Sequence, residues 1–175
     1  MMRHLTRADY HEMPWANGRG KTIELLKALA PGGGMLWRLS MATVAEDGPF
    51  SSFPGIERNL TVIDGPGFDL VGGITLRADP LRPVAFAGDI PVRAARVTGI
   101  AVDFNVMTQR NLPRPKVVVV KAGQVDPAGS MLCLFALDPS IVSGRTLARH
   151  DLLVEAPLSI VEGGTVLAIQ LFVSA

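Results

Sequence analysis

Glycine and proline occur at short intervals along this sequence, and their spacing restricts the secondary structure that the chain can form. Eighteen glycines and thirteen prolines lie between short apolar segments and do not gather into one linker. Glycine and proline end helices and favour turns, so this spacing is typical of short strands joined by tight connections. The sequence therefore predicts an all-β protein.

Nine apolar segments have the length of strands, and several of them alternate in polarity. In the segment 35–42, Trp37, Leu39 and Met41 fall on one face, while Arg38 and the other even-numbered residues fall on the opposite face. In a closed barrel the second face lines the interior. The predicted strands are 35–42, 59–64, 68–71, 74–78, 92–97, 100–107, 116–122, 131–137 and 167–173.

Turns and one helix candidate complete the secondary-structure prediction. The segments Asp64–Gly67, Gly72–Gly73 and Gly163–Gly164 separate short strands at hairpin distances. Thr22–Ala30 has apolar residues at helical spacing and ends at Pro31, so it is the one helix candidate. A β interpretation of this segment stays open.

The length of the chain suits one compact domain or two small domains that share a core. Its 175 residues are 48% hydrophobic, which is ample for a buried interior. The strands form two successive antiparallel groups. We therefore predict units at 1–105 and 106–175, with strands that can be exchanged between the two halves.

Composition excludes several classes of function. The formal net charge is +1 and there is no polybasic run, so we expect no nucleic-acid partner. Every apolar run is shorter than a membrane helix requires, and the N-terminus lacks the apolar centre of a signal peptide. The one cysteine, Cys133, lies in an apolar segment and is expected to be a buried thiol. We expect a cytoplasmic protein without a membrane partner.

The stretch ANGRGKT at 16–22 ends like a nucleotide phosphate loop but lacks the rest of that motif. A phosphate loop needs a glycine five residues before Gly20, where this sequence has Trp15, and it follows a buried strand. We interpret Asn17–Gly20 as a turn. Trp15, Asn17 and the nearby cations would together suit a carboxylate.

Metal and catalytic motifs are missing from the sequence. The three histidines are His4, His11 and His150, and no two of them form the His-x-His pair of metal-dependent small barrels. We expect no metal and no cofactor. His150 and Asp151 are adjacent, so in a strand their side chains would point to opposite faces, and we assign no catalytic residue.

Four segments together resemble the HutD/Ves family, which is associated with bacterial histidine utilisation. They follow one another in the order of the family and cover about the first two thirds of the chain. Arg19 departs from the family pattern, which usually has glycine there. The segments are PWANGRGKT (14–22), WRLSMATVAEDGPFSSFPGIERNLTVIDG (37–65), FAGD (86–89) and VDFNVMTQR (102–110).

The resemblance implies a bicupin, in which two cupin barrels of the double-stranded β-helix type lie in one chain without the metal-binding histidines of many cupins. It further implies a small-molecule-binding protein that modulates histidine utilisation. Formylglutamate or a related acidic metabolite is the expected ligand, because its carboxylates and amide would pair with arginine and asparagine. The expected ligand-binding residues are Trp15, Asn17, Arg38, Arg58 and Asn105. Trp37 and Phe104 would add apolar walls.

Two other functions stay open at the level of sequence. One is a metal-free isomerase or hydrolase that acts on such a metabolite, with Asp103 or Glu57 as the base. The other is a scaffold whose barrels are solid cores and which acts through a protein partner. Exposed sheet edges would also permit a homodimer. The sequence favours binding over catalysis.

Overall fold

The chain forms two compact units built from β-strands. The structure is a computed structural model that describes residues 1–173. One unit is His11–Asn111, and the other combines Met1–Tyr10 with Leu112–Ala175. Between residues 1 and 173 the only helical element is a 3-10 turn at Arg7–Asp9, and no helix there could span a membrane. The all-β prediction is confirmed.

The strands are short, as the spacing of glycine and proline predicts. The first eleven are β1 (Arg3–Leu5), β2 (His11–Pro14), β3 (Lys21–Leu29), β4 (Met35–Val44), β5 (Gly48–Pro49), β6 (Ile56–Asp64), β7 (Phe68–Gly72), β8 (Thr75–Ala78), β9 (Val84–Ala87), β10 (Val92–Ala95) and β11 (Ala101–Gln109). The others in the described chain are β12 (Lys116–Val120), β13 (Gly123–Val125), β14 (Met131–Ala136), β15 (Ser140–Val142), β16 (Arg145–Leu147), β17 (Leu152–Val154), β18 (Ser159–Gly163) and β19 (Val166–Leu171).

The unit His11–Asn111 contains two antiparallel sheets. The larger has the order β2-β3-β4-β11-β6-β9, and the smaller has the order β5-β10-β7-β8. Side chains from both sheets form one apolar core, which includes Leu60 of β6, Phe68 and Leu70 of β7, and Ala94 of β10. The inward faces of β4, β6 and β11 continue past this core and supply the polar residues described below.

The second unit also contains two sheets, with the orders β1-β17-β14-β19-β12 and β13-β18-β15-β16. Leu132 and Leu134 of β14 pack in a core with Leu147 of β16 and Val161 of β18, so both sheets contribute. Cys133 is fully buried in β14, and this burial raises the pKa of its thiol to about 12. The prediction of a buried thiol agrees with this position.

The units differ from the predicted division at 1–105 and 106–175. Residue 105 lies within β11, whose pairing with β4 and β6 extends to Gln109. The strand β1 pairs with β17 through the register Arg3↔Val154, so residues 1–10 join the C-terminal unit.

All nine predicted strands are present, but the helix candidate is wrong. Thr22–Ala30 falls on β3, which pairs antiparallel with both β2 and β4. The register with β4 shifts between Glu24 and Leu26, so Leu25 is an extra residue in the ladder and its side chain is buried. A bulge interrupts the period of two, and the apolar positions then imitate helical spacing.

Of the three predicted turns, one closes a hairpin. Gly72 ends β7 and Gly73 follows it in the connection to β8, and these two strands pair directly. The turn Asp64–Gly67 instead connects β6 to β7, and Gly163–Gly164 connects β18 to β19, so each passes from one sheet of its unit to the other. A tight glycine turn can join two facing sheets as readily as two neighbouring strands.

Candidate functional site

One end of the space between the two sheets of His11–Asn111 is an open cavity. Its volume is about 540 Å³, within the range that small-molecule sites usually have. The walls come from the inward faces of β4, β6, β10 and β11, from the β2–β3 connection, and from the segment between β4 and β6. The charged and amide side chains that line it are Asn17, Arg19, Arg38, Glu46, Asp47, Arg58, Asp103 and Asn105.

The structure places all five predicted ligand-binding residues at this cavity. Arg38, Arg58 and Asn105 come from β4, β6 and β11, which are neighbours in the larger sheet. Trp15 and Asn17 come from the connection between β2 and β3. The alternation of each strand explains the convergence, because residues two apart share a face.

Two arginines, the buried Arg58 and the partly buried Arg38, lie in one row across the sheet. Met107 of β11 is directly opposite Arg38 of β4 on one side and Arg58 of β6 on the other. All three side chains line the cavity. Two guanidinium cations therefore line the same cavity, and the charge of Arg38 adds to the effect of burial in lowering the pKa of Arg58.

Arg58 is held by aromatic rings as well as by hydrogen bonds. The side chain is only 7% exposed, and its guanidinium carbon lies 5.2 Å from the ring centres of Phe50 and Phe86 and 5.5 Å from that of Phe53. Such cation–π contacts are strongest where water is excluded. Burial lowers the pKa of Arg58 to about 10, while Asp103 opposes that effect. Arg58 therefore remains a cation at neutral pH.

A relay of side chains connects Arg58 to a buried acid. Arg58 Nη2 donates to Asn105 Oδ1 at 2.7 Å, and Asn105 Nδ2 donates to Asp103 Oδ1. Asp103 is 1% exposed. Burial raises the pKa of Asp103 to about 7, although Arg58 and the hydrogen bond from Asn105 both act to lower it. Desolvation is the dominant cause, because a carboxylate loses more hydration than one distant cation restores.

Arg38 has a different partner. Its Nε lies 2.9 Å from Glu24 Oε2 on the adjacent strand β3, but the N–H is not aimed at that oxygen and makes no hydrogen bond. Glu24 also pairs with Lys27 at 2.9 Å. No sequence pattern points to Glu24 as a partner of Arg38, because it lies in the segment predicted as a helix.

The β2–β3 connection forms the exposed end of the cavity. Trp15 Nε1 donates to Thr22 Oγ1 at 2.9 Å, and the indole ring covers Gly20 so closely that a Cβ there would lie 2.8 Å from it. Asn17 Oδ1 accepts from the backbone N–H of Arg19 at 3.0 Å. The predicted turn is confirmed, and Gly20 is required for contact with Trp15.

Arg19 links this connection to the facing segment of the cavity. Arg19 Nη1 lies 2.9 Å from Glu46 Oε1, and both side chains are more than half exposed. Beside it, Asp47 accepts from the backbone N–H of Val97 at 2.9 Å. The carboxylates of Glu46 and Asp47 are therefore engaged at the exposed end and do not pair with Arg38 or Arg58.

Three residues named as possible site members do not line the cavity. Trp37 and Phe104 lie on the opposite face of their strands from Arg38 and Asn105, so the aromatic contacts come from Phe50 and Phe53 instead. Glu57 likewise points away from Arg58, and its Oε1 accepts from Arg110 Nε at 2.8 Å. Glu57 is therefore excluded as a base acting in this cavity.

The other polar cluster considered from sequence has a structural role. His4 Nε2 lies 2.8 Å from Asp151 Oδ2, and the same oxygen accepts from the backbone N–H of Ala148 at 3.0 Å. The ring of His150 stacks on Phe135 with centres 5.4 Å apart. Asp151 thus caps a turn. Among residues 1–173, no group of three histidine, cysteine or acidic side chains is placed to hold a metal ion.

Comparison with known proteins assigns the family. The profile of the HutD family matches residues 7–166, which is most of the chain. The chain belongs to the HutD family. Protein Ves of Cronobacter sakazakii is 38% identical over 117 residues, which are 63% of this chain and 64% of that protein. The matches to curated relatives thus span less than two thirds of the length of those proteins.

Solved structures agree with this family and with the fold. HutD from Pseudomonas fluorescens SBW25 has a TM-score of 0.87 and 33% identity, with all of both chains covered. Bacterial pirin from Escherichia coli, solved with nickel(II), has a TM-score of 0.66 at 10% identity, covering 98% of this chain and 99% of that one. The likeness to pirin concerns the fold alone, which is the cupin fold.

The arrangement in this HutD family member suits the binding of an anion. The cavity has two cations in one row, an amide, and an acid that burial pushes toward its neutral form, so its inner wall offers hydrogen-bond donors to an anion. The aromatic contacts hold one cation in place before any ligand arrives. Such a preorganised site loses little conformational freedom on binding.

Proposed function

We propose that this protein binds a small acidic metabolite in the cavity of His11–Asn111 and thereby modulates histidine utilisation in the cytoplasm. The observation that supports this most directly is the row formed by Arg38, Met107 and Arg58. Two cations that face one buried space repel each other. An anion between them removes that repulsion and supplies acceptors for guanidinium donors.

The buried network has unused donors that agree with this proposal. The Nε atoms of Arg38 and Arg58 have no hydrogen-bond acceptor among the described residues. Buried donors without acceptors are uncommon, and at functional sites a ligand often completes them after small rearrangements. The protein alone therefore does not saturate the hydrogen-bonding capacity of its two interior cations.

Formylglutamate is the ligand that we propose first. It has two carboxylates and one formamide group, which match two arginines and the asparagines Asn17 and Asn105. We choose an intermediate of histidine breakdown because the HutD family is associated with histidine utilisation. A relative from Pseudomonas putida, 37% identical over 110 residues, is described as a protein of the hutC 3′ region. These 110 residues are 59% of this chain and 56% of that relative.

We interpret the two-sheet organisation of each unit as a bicupin, with the binding site in the first barrel. Both units have an apolar core between two antiparallel sheets. A scaffold with a solid core is a weaker explanation for His11–Asn111, because the cavity is open: Trp15 lines it, but neither Trp37 nor Met41 enters it.

Thermal unfolding tests the binding proposal. The purified protein is heated with and without millimolar N-formyl-L-glutamate, with glutamate, urocanate and histidine as comparison ligands. Ligand at 100 times its Kd stabilises the folded state by about 2.7 kcal/mol, which raises Tm visibly. We expect a selective rise with N-formyl-L-glutamate. The absence of any rise with all four compounds would reject this ligand class.

Matched variants locate the site. Arg38→Met and Arg58→Met each remove an interior cation while keeping a long apolar side chain, and they should abolish the rise in Tm. Arg145→Met removes an exposed cation of β16 outside the cavity and should leave the rise intact. Equal ligand responses in Arg58→Met and Arg145→Met would place the binding site elsewhere.

The second candidate function is a metal-free enzyme, and the state of Asp103 is the observation that favours it. A buried carboxyl with a pKa of about 7 can both accept and donate a proton near neutral pH, as a general acid–base requires. Sustained turnover of N-formyl-L-glutamate by metal-free protein, lost in Asp103→Asn, would establish catalysis. Stoichiometric binding without turnover would support the binding function alone.

A further inference from the structure

Asp103 and Arg58 are coupled through a fixed amide. Asn105 accepts from Arg58 with its oxygen and donates to Asp103 with its nitrogen, so both ends of the side chain are engaged. Asp103 therefore faces a donor on Asn105 and has no direct contact with the guanidinium. The cation lowers the proton affinity of Asp103 only at a distance.

The charged groups around Asp103 come from several elements. Arg58 lies on β6, and Arg38 lies on β4 with Glu24 of β3 beside it. At the exposed end, Arg19 and Glu46 pair with each other, while Asp47 accepts backbone N–H groups. No histidine lines the cavity. In this cavity, Asp103 is thus the acid that neither pairs with a cation nor caps a backbone.

A bound anion changes the balance at Asp103 in two ways. It adds a negative charge to the same buried space, which disfavours a second carboxylate. It also engages Arg58, the cation that favours the ionised form of Asp103. Both effects favour the protonated acid. A protonated carboxyl has an O–H donor that a carboxylate lacks, and this donor can serve an oxygen of the ligand.

We propose that anion binding beside Arg58 is coupled to the uptake of one proton by Asp103, which then contacts the ligand as a hydrogen-bond donor. This inference rests on the proposed binding function and assigns a pH dependence to the same site. Affinity is expected to fall as the pH rises above neutrality, because the free protein must then acquire a proton to bind. The protein would thus bind its metabolite more weakly in alkaline conditions.

Isothermal titration calorimetry tests the coupling. N-formyl-L-glutamate is titrated into the full chain at pH 8 in HEPES and in Tris, two buffers that differ in ionisation enthalpy and avoid the competing anion phosphate. Proton uptake makes the observed heat depend on the buffer, and the slope gives the number of protons. We expect uptake approaching one proton per site, and a Kd that rises up to about tenfold per pH unit above pH 7.

Between pH 6 and pH 9 neither the ligand nor Arg58 should change its charge, so proton uptake in this range can be assigned to another group. The carboxylates of N-formyl-L-glutamate stay ionised across this range, and the pKa of Arg58 is about 10. In Asp103→Asn, binding should persist with heats independent of buffer and a Kd independent of pH. The matched variant Glu162→Gln removes an exposed carboxylate of β18 outside the cavity and should keep the proton uptake.

The outcomes separate the inference from the function that it rests on. No binding heat at any pH would reject the binding of this acid. Binding with equal heats in both buffers and a flat pH profile would reject the role of Asp103 and leave the binding function intact. Proton uptake that survives in Asp103→Asn would assign the proton to another group and overturn the proposal.

Discussion

At the scale of single residues, Arg58 combines a charge, a hydrogen bond and three aromatic contacts in one buried side chain. Arg58→Lys keeps the charge but loses the planar group that lies over the rings and the fork that reaches Asn105. We expect a loss of about 2 kcal/mol in unfolding free energy, and loss of ligand binding. Chemical denaturation measures the first effect and calorimetry measures the second.

Arg93→Lys is the control for that substitution, because Arg93 is exposed on β10 and does not line the cavity. It should change the unfolding free energy by less than about 0.5 kcal/mol. A lysine at position 58 that gave wild-type stability and affinity would show that the cation alone matters and that the aromatic contacts do not.

Asp103 gives a prediction about stability and pH. Burial raises its pKa from 3.8 to about 7 in the folded state. Below pH 3.8 the acid is neutral in both the folded and the unfolded state, and its contribution to the free energy of unfolding is fully present. That contribution is lost as the pH rises toward 7. Asp103→Asn cannot ionise and should avoid this loss. The stability of the variant relative to wild type should increase between pH 5 and pH 7 by roughly 1 kcal/mol per unit. Urea titrations at several pH values measure it; parallel profiles would contradict the prediction.

The sequence predicts the polar half of the site better than the apolar half. Alternation along β4 and β11 places Arg38 and Asn105 on inward faces, and the same alternation puts Trp37 and Phe104 on the opposite faces. The alternation that places the polar side chains in the cavity therefore also keeps Trp37 and Phe104 out of it. Phe50 and Phe53 lie in a connection, where no periodicity shows which side chains turn inward.

At the scale of elements, Gly65 tests how tightly a turn is packed. Its φ is +77°, and a Cβ there would lie 2.1 Å from the carbonyl oxygen of Ile100. Gly33 has a similar φ of +85° with nothing within 4 Å. Gly33→Ala should cost about 1 kcal/mol from backbone strain alone, and Gly65→Ala about 3 kcal/mol or more, because backbone must move. Equal Tm values for the two variants would contradict the close approach.

The strand β3 shows where local pattern fails at this scale. Its apolar residues fit a helical period, yet neighbours on both sides supply backbone partners and the extra residue at Leu25 fits as a bulge. Pairing with distant strands overrides the local preference. The periodicity of one sequence does not show which strands pair, so it could not distinguish a helix from a strand in this segment.

At the scale of the whole molecule, the all-β class follows from the spacing of glycine and proline, but the membership of the units does not. β1 pairs with β17, about 150 positions later in the chain, and no motif in residues 1–10 predicts this pairing. The turns Asp64–Gly67 and Gly163–Gly164 were recognisable as turns. Whether they close a hairpin or connect two sheets depends on packing that is not local.

The distribution of the cavity lining leads to a prediction for the entire chain. Every lining residue lies between Trp15 and Met107, within the unit His11–Asn111. Hydrogen exchange with N-formyl-L-glutamate should therefore slow in 15–22, 45–58 and 103–107, because ligand contacts suppress local opening there. Exchange in β14 and β19 should not change. Arg58→Met with the same ligand should show no protection, and protection confined to 131–171 would place the site in the other unit and contradict the assignment.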